Sequence, residues 1–329
     1  MVTDATHDRV LEAVQHMGFI PNGTAKSLRS RRSRKLLVTV PDLSNPFFSV
    51  ILQGIEEAAQ RAGYSVLVGD TQNDDVREER YAKMLEQREA DGLIFLGPRL
   101  PKTAAAVVYR AMPRCAPVVN GCEFSEGMHV PSVHIDNEKA AIDAMEYLHK
   151  LGHRRLSVVI GPLDSPVSRD RLAGAMRVAK KHRTTTTCLV EQGDFSVESG
   201  AAAGVRLLTQ TLRPTAVFCF NDEMAMGLLQ AAAQLSLRVP RDVSVVGFDD
   251  IRFARCVQPP LTTVAQPMRA IGEGAVELLL KILESGGERP TSVTLPHTLT
   301  IRSSTGPAPG GEAELPLAPA RRRRRKFGL

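Results

Sequence analysis

The chain has 329 residues, of which 43% are hydrophobic and 24% charged, and a formal net charge of +6. That is the composition of an ordinary globular protein with room for two domains, and no apolar run reaches the ~18 residues of a membrane span. The opening MVTDATHDRV lacks the apolar core of a secretion signal, so the expected location is the cytoplasm.

The charge is unevenly placed. Residues 1–35 carry seven basic and three acidic side chains, and residues 306–329 carry six and two, which leaves the middle slightly acidic. Basic ends on an acidic body suit a polyanion partner. The Pro-, Ala- and Arg-rich stretch 306–329 reads as a disordered, solvated tail. The five cysteines (Cys115, Cys122, Cys188, Cys219, Cys256) form no C-x-x-C pair, which argues against a disulfide framework or a zinc site. Asn22-Gly23-Thr24 fits a glycosylation sequon but is discounted in a chain without a secretion signal.

In chain order, residues 4–17 read as a short helix. Val10, Leu11, Val14 and Met17 form one stripe, Thr3 or Asp4 can cap it, and Gly18 can end it. After the break at Pro21-Asn22-Gly23, residues 24–32 form a second, basic helix. From Leu36 apolar strands alternate with helices. Strands are expected at 36–40, 65–69, 92–96, 117–119, 132–135, 156–160, 187–190, 216–220 and 243–247. Helical stretches separate most of them, for example 49–62, 76–89, 138–151, 170–181, 198–212 and 223–235. The alternation implies parallel, doubly wound α/β sheets, and its second cycle implies two lobes.

Several candidate groups fall at the carboxyl ends of strands, where open α/β sheets take their ligands. Asn45 to Phe48 follow the first strand. Asn120 follows 117–119, Asp136 follows 132–135, Asn221-Asp222 follow 216–220, and Asp249 follows 243–247. Arg171 opens the helix after 156–160. Asp249 can accept two hydroxyl hydrogen bonds, Arg171 can donate as a fork, and Phe47, Phe48 and Phe195 offer flat faces for a ring. These types suit a sugar or nucleoside. Asp136 reads more readily as a residue of the crossing between lobes, and Asp222 as a helix cap. Phe48 reads equally well as core. Arg171 and Asp249 are hardest to explain structurally, because burying charge without a partner is costly.

A family resemblance joins these observations. Residues 2–35, VTVPDLSNPFFSVILQGIEEAAQRAGY (38–64), HIDN (134–137), GH (152–153), GP (161–162), RLAG (171–174), FNDEMAMG (220–227), VPRDVSVVGFDD (239–250) and PPLTTVAQP (259–267) stand in the order of LacI/GalR transcriptional regulators. LGPRLP (96–101), SVHIDN (132–137), GDF (193–195) and TAVFC (215–219) resemble its nucleoside-responding members. Val167 departs from the purine-responding members, which carry a polar, base-reading side chain there.

The resemblance implies a two-lobed, periplasmic-binding-protein-like core over 36–305. One lobe would span about 36–135 with 266–296, the other about 136–265 with 297–305. It implies an effector pocket between the lobes lined by Phe47, Phe48, Asn120, Arg171, Phe195, Asn221 and Asp249, and a cytidine-like nucleoside or a pentose as effector. It implies no cofactor, no catalysis, and a homodimer that binds operator DNA. Residues 1–35 match the end of the family's headpiece, its third helix and hinge helix, with the first part of the helix-turn-helix missing. In the hinge, Leu28 would wedge a minor-groove step, Ala25 would allow close approach, and Lys26, Arg29, Arg31 and Arg32 would meet phosphates. A repressor is therefore expected. The alternative is a nucleoside- or sugar-binding protein without specific DNA binding. No P-loop, G-x-G-x-x-G or G-x-S-x-G favours an enzyme. His134, His149 and His153 do not form a metal set, and His153 reads as turn chemistry.

Overall fold

The computed structural model describes residues 32–112, 115–124, 129–182 and 187–309, with positions 3, 6, 9, 12, 13 and 16 before them. Thr6, Arg9, Glu12, Ala13 and His16 are helical, and the Thr6 amide donates to the Thr3 carbonyl at 2.9 Å, a start at Thr3. The hinge positions Ala25, Lys26, Leu28, Arg29 and Arg31 lie outside the described residues.

β1 (Lys35–Val40) is almost wholly buried, as an apolar run in a parallel sheet must be. α1 (Pro46–Arg61) starts where Asn45 Oδ1 accepts from the Phe47 amide at 2.9 Å and Pro46 supplies a pre-set φ. Its buried residues Ile51, Ile55, Ala58 and Ala59 recur with the helical period. β2 (Ser65–Asp70), α2 (Asp75–Glu86), β3 (Gly92–Phe95), α3 (Lys102–Ala111), β4 (Val118–Gly121) and β5 (Ser132–Ile135) continue the alternation. The second cycle is α4 (Asn137–Lys150), β6 (Arg155–Ile160), α5 (Pro166–Lys181), β7 (Thr187–Gln192), α6 (Val197–Leu208), β8 (Ala216–Cys219), α7 (Asp222–Gln234), β9 (Ser244–Asp249) and β10 (Thr262–Ala265). α8 (Met268–Ser285), β11 (Val293–Leu295) and β12 (Thr298–Thr300) close the described chain.

Two six-stranded sheets result, in the orders β11-β5-β4-β3-β1-β2 and β12-β10-β9-β8-β6-β7. The second cycle thus repeats the strand order of the first. Among the described pairings β12 departs from the parallel pattern, running antiparallel to β10 at the sheet edge, which mixed α/β sheets tolerate. The chain divides into two compact units. The first is Met1–Gly121 with Glu126–Ser132 and Gly272–Ser292, and the second is Cys122–Ser125 with Val133–Ile271 and Val293–Leu329. The first has a core around Leu37, Leu85, Leu93, Phe95, Ala104 and Val118. The second has its own around Val158, Phe218, Phe220, Leu228, Val246 and Phe248.

Three expectations are corrected, and α3 and the elements after β9 extend the expected set. The tail does not begin at 306: the Gly306 amide donates to Ser244 Oγ at 3.1 Å, and the Ala308 amide to the Leu151 carbonyl at 2.9 Å. His153 is no mere turn residue. It is fully buried, Nδ1 sits 3.0 Å from Thr215 Oγ1, and Nε2 sits 3.0 Å from the Gly306 carbonyl. Burial pushes its imidazole down to about 4, so it holds this junction as a neutral ring. Asp222 does not cap α7, because Asn221 does, accepting from the Met224 amide at 2.9 Å.

Candidate effector site

In the second unit β6 lies between β7 and β8. β6 leads α5 to one face, where it packs on α4, while its neighbour β8 leads α7 to the other, where it packs on α6, and this switch between β6 and β8 is where open α/β sheets leave a crevice at their carboxyl ends. α5 starts just past β6, with Ser165 as its N-cap and Pro166 in its first turn. One and a half turns on, Arg171 points inward and is only 4% exposed.

Its guanidinium is held on three sides. Nε donates to Asn137 Oδ1 at 2.9 Å, and Nη1 donates to the carbonyl of Phe220, just past β8. The guanidinium carbon lies 3.6 Å from the centre of the Phe248 ring, a cation–π stack. The fourth side faces Asp249 at the end of β9, with Nη2 4.0 Å from Oδ1. At that distance the two charges attract but do not share a hydrogen bond. Asp249 instead accepts from Gln266 Nε2 at 2.8 Å. Its backbone has φ +107°, a conformation that side-chain-bearing residues rarely adopt and that gathers at ligand sites.

Burial dominates the electrostatics. It pushes the Asp249 carboxyl up to about 7, against the opposing pull of Arg171 and Gln266. The same cause raises Glu123 to about 8, with Arg171 and Arg169 opposing. Asp222 is raised well above its ordinary value by burial and by the neighbouring Asp249. Its oxygens accept from Thr263 Oγ1 at 2.6 Å and the Ile251 amide at 2.8 Å, which makes it a brace for the β9–β10 region. The unit therefore sets one buried guanidinium among buried acids. The buried hydroxyls of Ser165 and Ser168, in the first turn of α5, make no hydrogen bond with any described residue. Such groups in a native interior call for a partner.

Phe195 and Asn221 form a second group in this unit. Asn221 Nδ2 donates to the Phe195 carbonyl at 2.7 Å while its Oδ1 caps α7. Both ends of that amide are thus engaged within the protein, so Asn221 positions the Phe195 loop. Phe195 has φ +74°, and its ring lies against Gly161, where an added Cβ would come within 2.1 Å. In the first unit Phe47 is buried and Phe48 half-buried, their rings edge-to-face at 5.2 Å. The inward ring is therefore Phe47, and Phe48 is the more accessible face. Asn120 is buried and donates from Nδ2 to the Gly97 carbonyl at 3.1 Å. Asp136 caps α4, accepting from the Lys139 amide at 2.8 Å. Sequence reasoning missed Phe248, Asn137, Glu123 and Gln266, which surround the two charges it did find.

Two doubly wound sheets, one built on the same strand order as the other, define a core of the periplasmic-binding-protein type. A family profile described as a periplasmic binding protein-like domain matches residues 145–305. The transcriptional repressor CytR of Escherichia coli (strain K12) is 38% identical over 309 residues, which are 94% of this chain and 90% of CytR. The repressor PurR of Klebsiella pneumoniae (strain 342) is 32% identical over 312 residues, 94% of this chain and 90% of PurR. Among solved structures, the lac repressor dimer bound to operator and the anti-inducer ONPF superimposes with a TM-score of 0.82 at 29% identity, covering 93% of this chain and 92% of the repressor chain. The chain belongs to the LacI/GalR family of transcriptional regulators. No described helix is long and apolar enough to cross a membrane.

Proposed function

We propose that the second unit binds the sugar moiety of a nucleoside, or a free pentose, and that this binding sets the chain's affinity for operator DNA. One observation carries the reading. Arg171 and Asp249 are both buried, yet stand 4.0 Å apart without a mutual hydrogen bond. Two adjacent ligand hydroxyls supply the missing partners, donating to Asp249 and accepting from Arg171. The idle hydroxyls of Ser165 and Ser168 add polar contacts near the same helix start, and Phe195 offers a ring face. Phe47, Phe48 and Asn120 are the first unit's candidate contacts, with Phe48 the strongest on exposure. Cytidine is the first ligand to try, since Val167 gives a purine base no hydrogen bond.

DNA contact is assigned to Ala25, Lys26, Leu28, Arg29, Arg31 and Arg32, in a chain that acts as a homodimer in the cytoplasm. Lys and Arg meet phosphates and Leu28 wedges a base step. The solved lac repressor is a dimer bound to operator, which supports this reading. No catalytic role is proposed.

Calorimetry against a panel of nucleosides and pentoses tests the ligand half. Arg171→Ala and Asp249→Ala should each weaken binding by about 2–5 kcal/mol, the cost of leaving a buried charge unpaired. Parent-like binding by both variants would overturn the assignment. Fluorescence anisotropy with an operator and a scrambled duplex, with and without cytidine, tests the DNA half. Leu28→Ala should weaken operator binding, and an operator affinity indifferent to every member of the panel would contradict the control by ligand.

A further inference from the structure

We infer that the C-terminal ends of α4 and α5 carry a binding site for one zinc-type divalent metal ion, held by Glu146, His149 and His182. Glu146 and His149 are three apart on α4, so they share a face of that helix. His182 is the C-cap of α5, which packs against α4. One ring nitrogen from each histidine and a carboxylate oxygen of Glu146 lie within 4.8 Å of one another, and all three residues are half-buried. The two imidazoles stack with centres 3.7 Å apart and planes 18° from parallel. His182 Nε2 sits 3.4 Å from Glu146 Oε2. His149 Nε2 is buried and takes no hydrogen bond among the described residues. A buried ring nitrogen in that condition, on a side chain grouped with a second imidazole and a carboxylate, suits a metal ligand.

The donor set selects the metal. Two imidazoles and one carboxylate suit zinc and its neighbours rather than calcium or magnesium, which prefer oxygen throughout. Three protein ligands leave a fourth position for water. Around a tetrahedral zinc at about 2.1 Å, ligand atoms stand about 3.3 Å apart. Metal entry therefore requires the stacked rings and the carboxylate to turn until their ligand atoms, now within 4.8 Å of one another, reach that spacing. Lys181 now occupies part of this place, with Nζ 2.7 Å from Glu146 Oε1. It neutralises the carboxylate as the metal would, and it must swing out to solvent when the metal enters. The ion would then tie together the ends of two helices that the sequence brings near each other only through the fold.

The test is a zinc titration of the full chain by calorimetry, with thermal melting beside it. One zinc ion per chain is expected, with a rise in the parent's melting temperature. His149→Ala and His182→Ala should each weaken binding at least about tenfold, since even partners outside the first coordination shell are worth about 10–100-fold. The polar, similarly sized His149→Gln and His182→Gln report the same loss if an alanine variant fails to fold. Lys181→Met should tighten binding by removing the competing ammonium. Cys256→Ser, at an exposed thiol, should change nothing. No saturable zinc binding by the parent would overturn the inference. So would parent-like binding by the histidine variants, a loss in Cys256→Ser, or weaker binding in Lys181→Met.

Discussion

Asp249 shows how one buried carboxyl can register both pH and ligand. Its proton affinity is raised from the ordinary 3.8 to about 7, so the folded chain keeps a proton that the unfolded chain gives up. Its contribution to stability is therefore fully present below the ordinary carboxylate range and is lost as pH rises through about 7. The shift corresponds to at most about 4 kcal/mol. Ligand-free protein should melt at falling temperatures between about pH 4 and pH 8, and Asp249→Asn should flatten the fall up to about pH 7, leaving the parts due to Glu123 and Asp222. An unchanged pH profile in the variant would show that Asp249 does not hold the proton. A ligand whose hydroxyls donate to Asp249 needs it ionised. Binding should then release a proton and tighten as pH approaches about 7, which calorimetry in buffers of different ionisation enthalpy detects. At this scale the sequence was half legible. Arg171 and Asp249 stood out because charged residues at strand ends rarely serve the core. Phe248, Gln266 and Asn137 did not, because each belongs to a different element and nothing in local spacing brings them to the same charged pair. The stacked His149 and His182 stayed hidden for the same reason, with Glu146 the only member sharing a helix with either.

At the scale of elements, small residues set how closely α6 and α7, which follow β7 and β8, can pack. α6 and α7 meet at Gly200 and Gly227, where an added Cβ would fall 2.2 Å from the Met224 carbonyl oxygen and 1.9 Å from the Val197 carbonyl oxygen. Both obstacles are backbone, so the helices must part to admit a methyl group. Gly227→Ala should destabilise the chain by about 1–3 kcal/mol despite its gain in helix propensity, read as a lower urea midpoint. A stabilised variant would mean that the two helices yield freely. The long strands and helices of the second unit were legible because each carries a run or stripe long enough to declare its period. The three-residue β11 and β12 carry none and exist only through their partners in the sheets. α8 is different, since Ile271, Ala275, Leu278, Leu279 and Ile282 form a readable stripe beyond the last expected helix.

At the scale of the molecule, the repeated strand order shows that one solution was used twice. Each sheet keeps the same doubly wound sequence of neighbours, with late segments of the chain added at the edge. Alternation of strand and helix announced the architecture. The antiparallel β12 could not be foreseen, because direction at an edge is set by how the chain returns and not by the strand's own residues. The use of Gly306 and Ala308 as structured residues was equally hidden, since a Pro-Ala-Gly composition reads as tail until His153 and Leu151 are seen to hold it. The charged pair in the second unit is the centre of the functional account, and a crystal structure with cytidine or the tightest-binding pentose tests it most directly. Ligand density is expected with two hydroxyls within hydrogen-bond distance of the Asp249 carboxylate and the Arg171 guanidinium, while Asn137 and Phe248 still hold the guanidinium in place. Ligand density that leaves Arg171 and Asp249 untouched would contradict it.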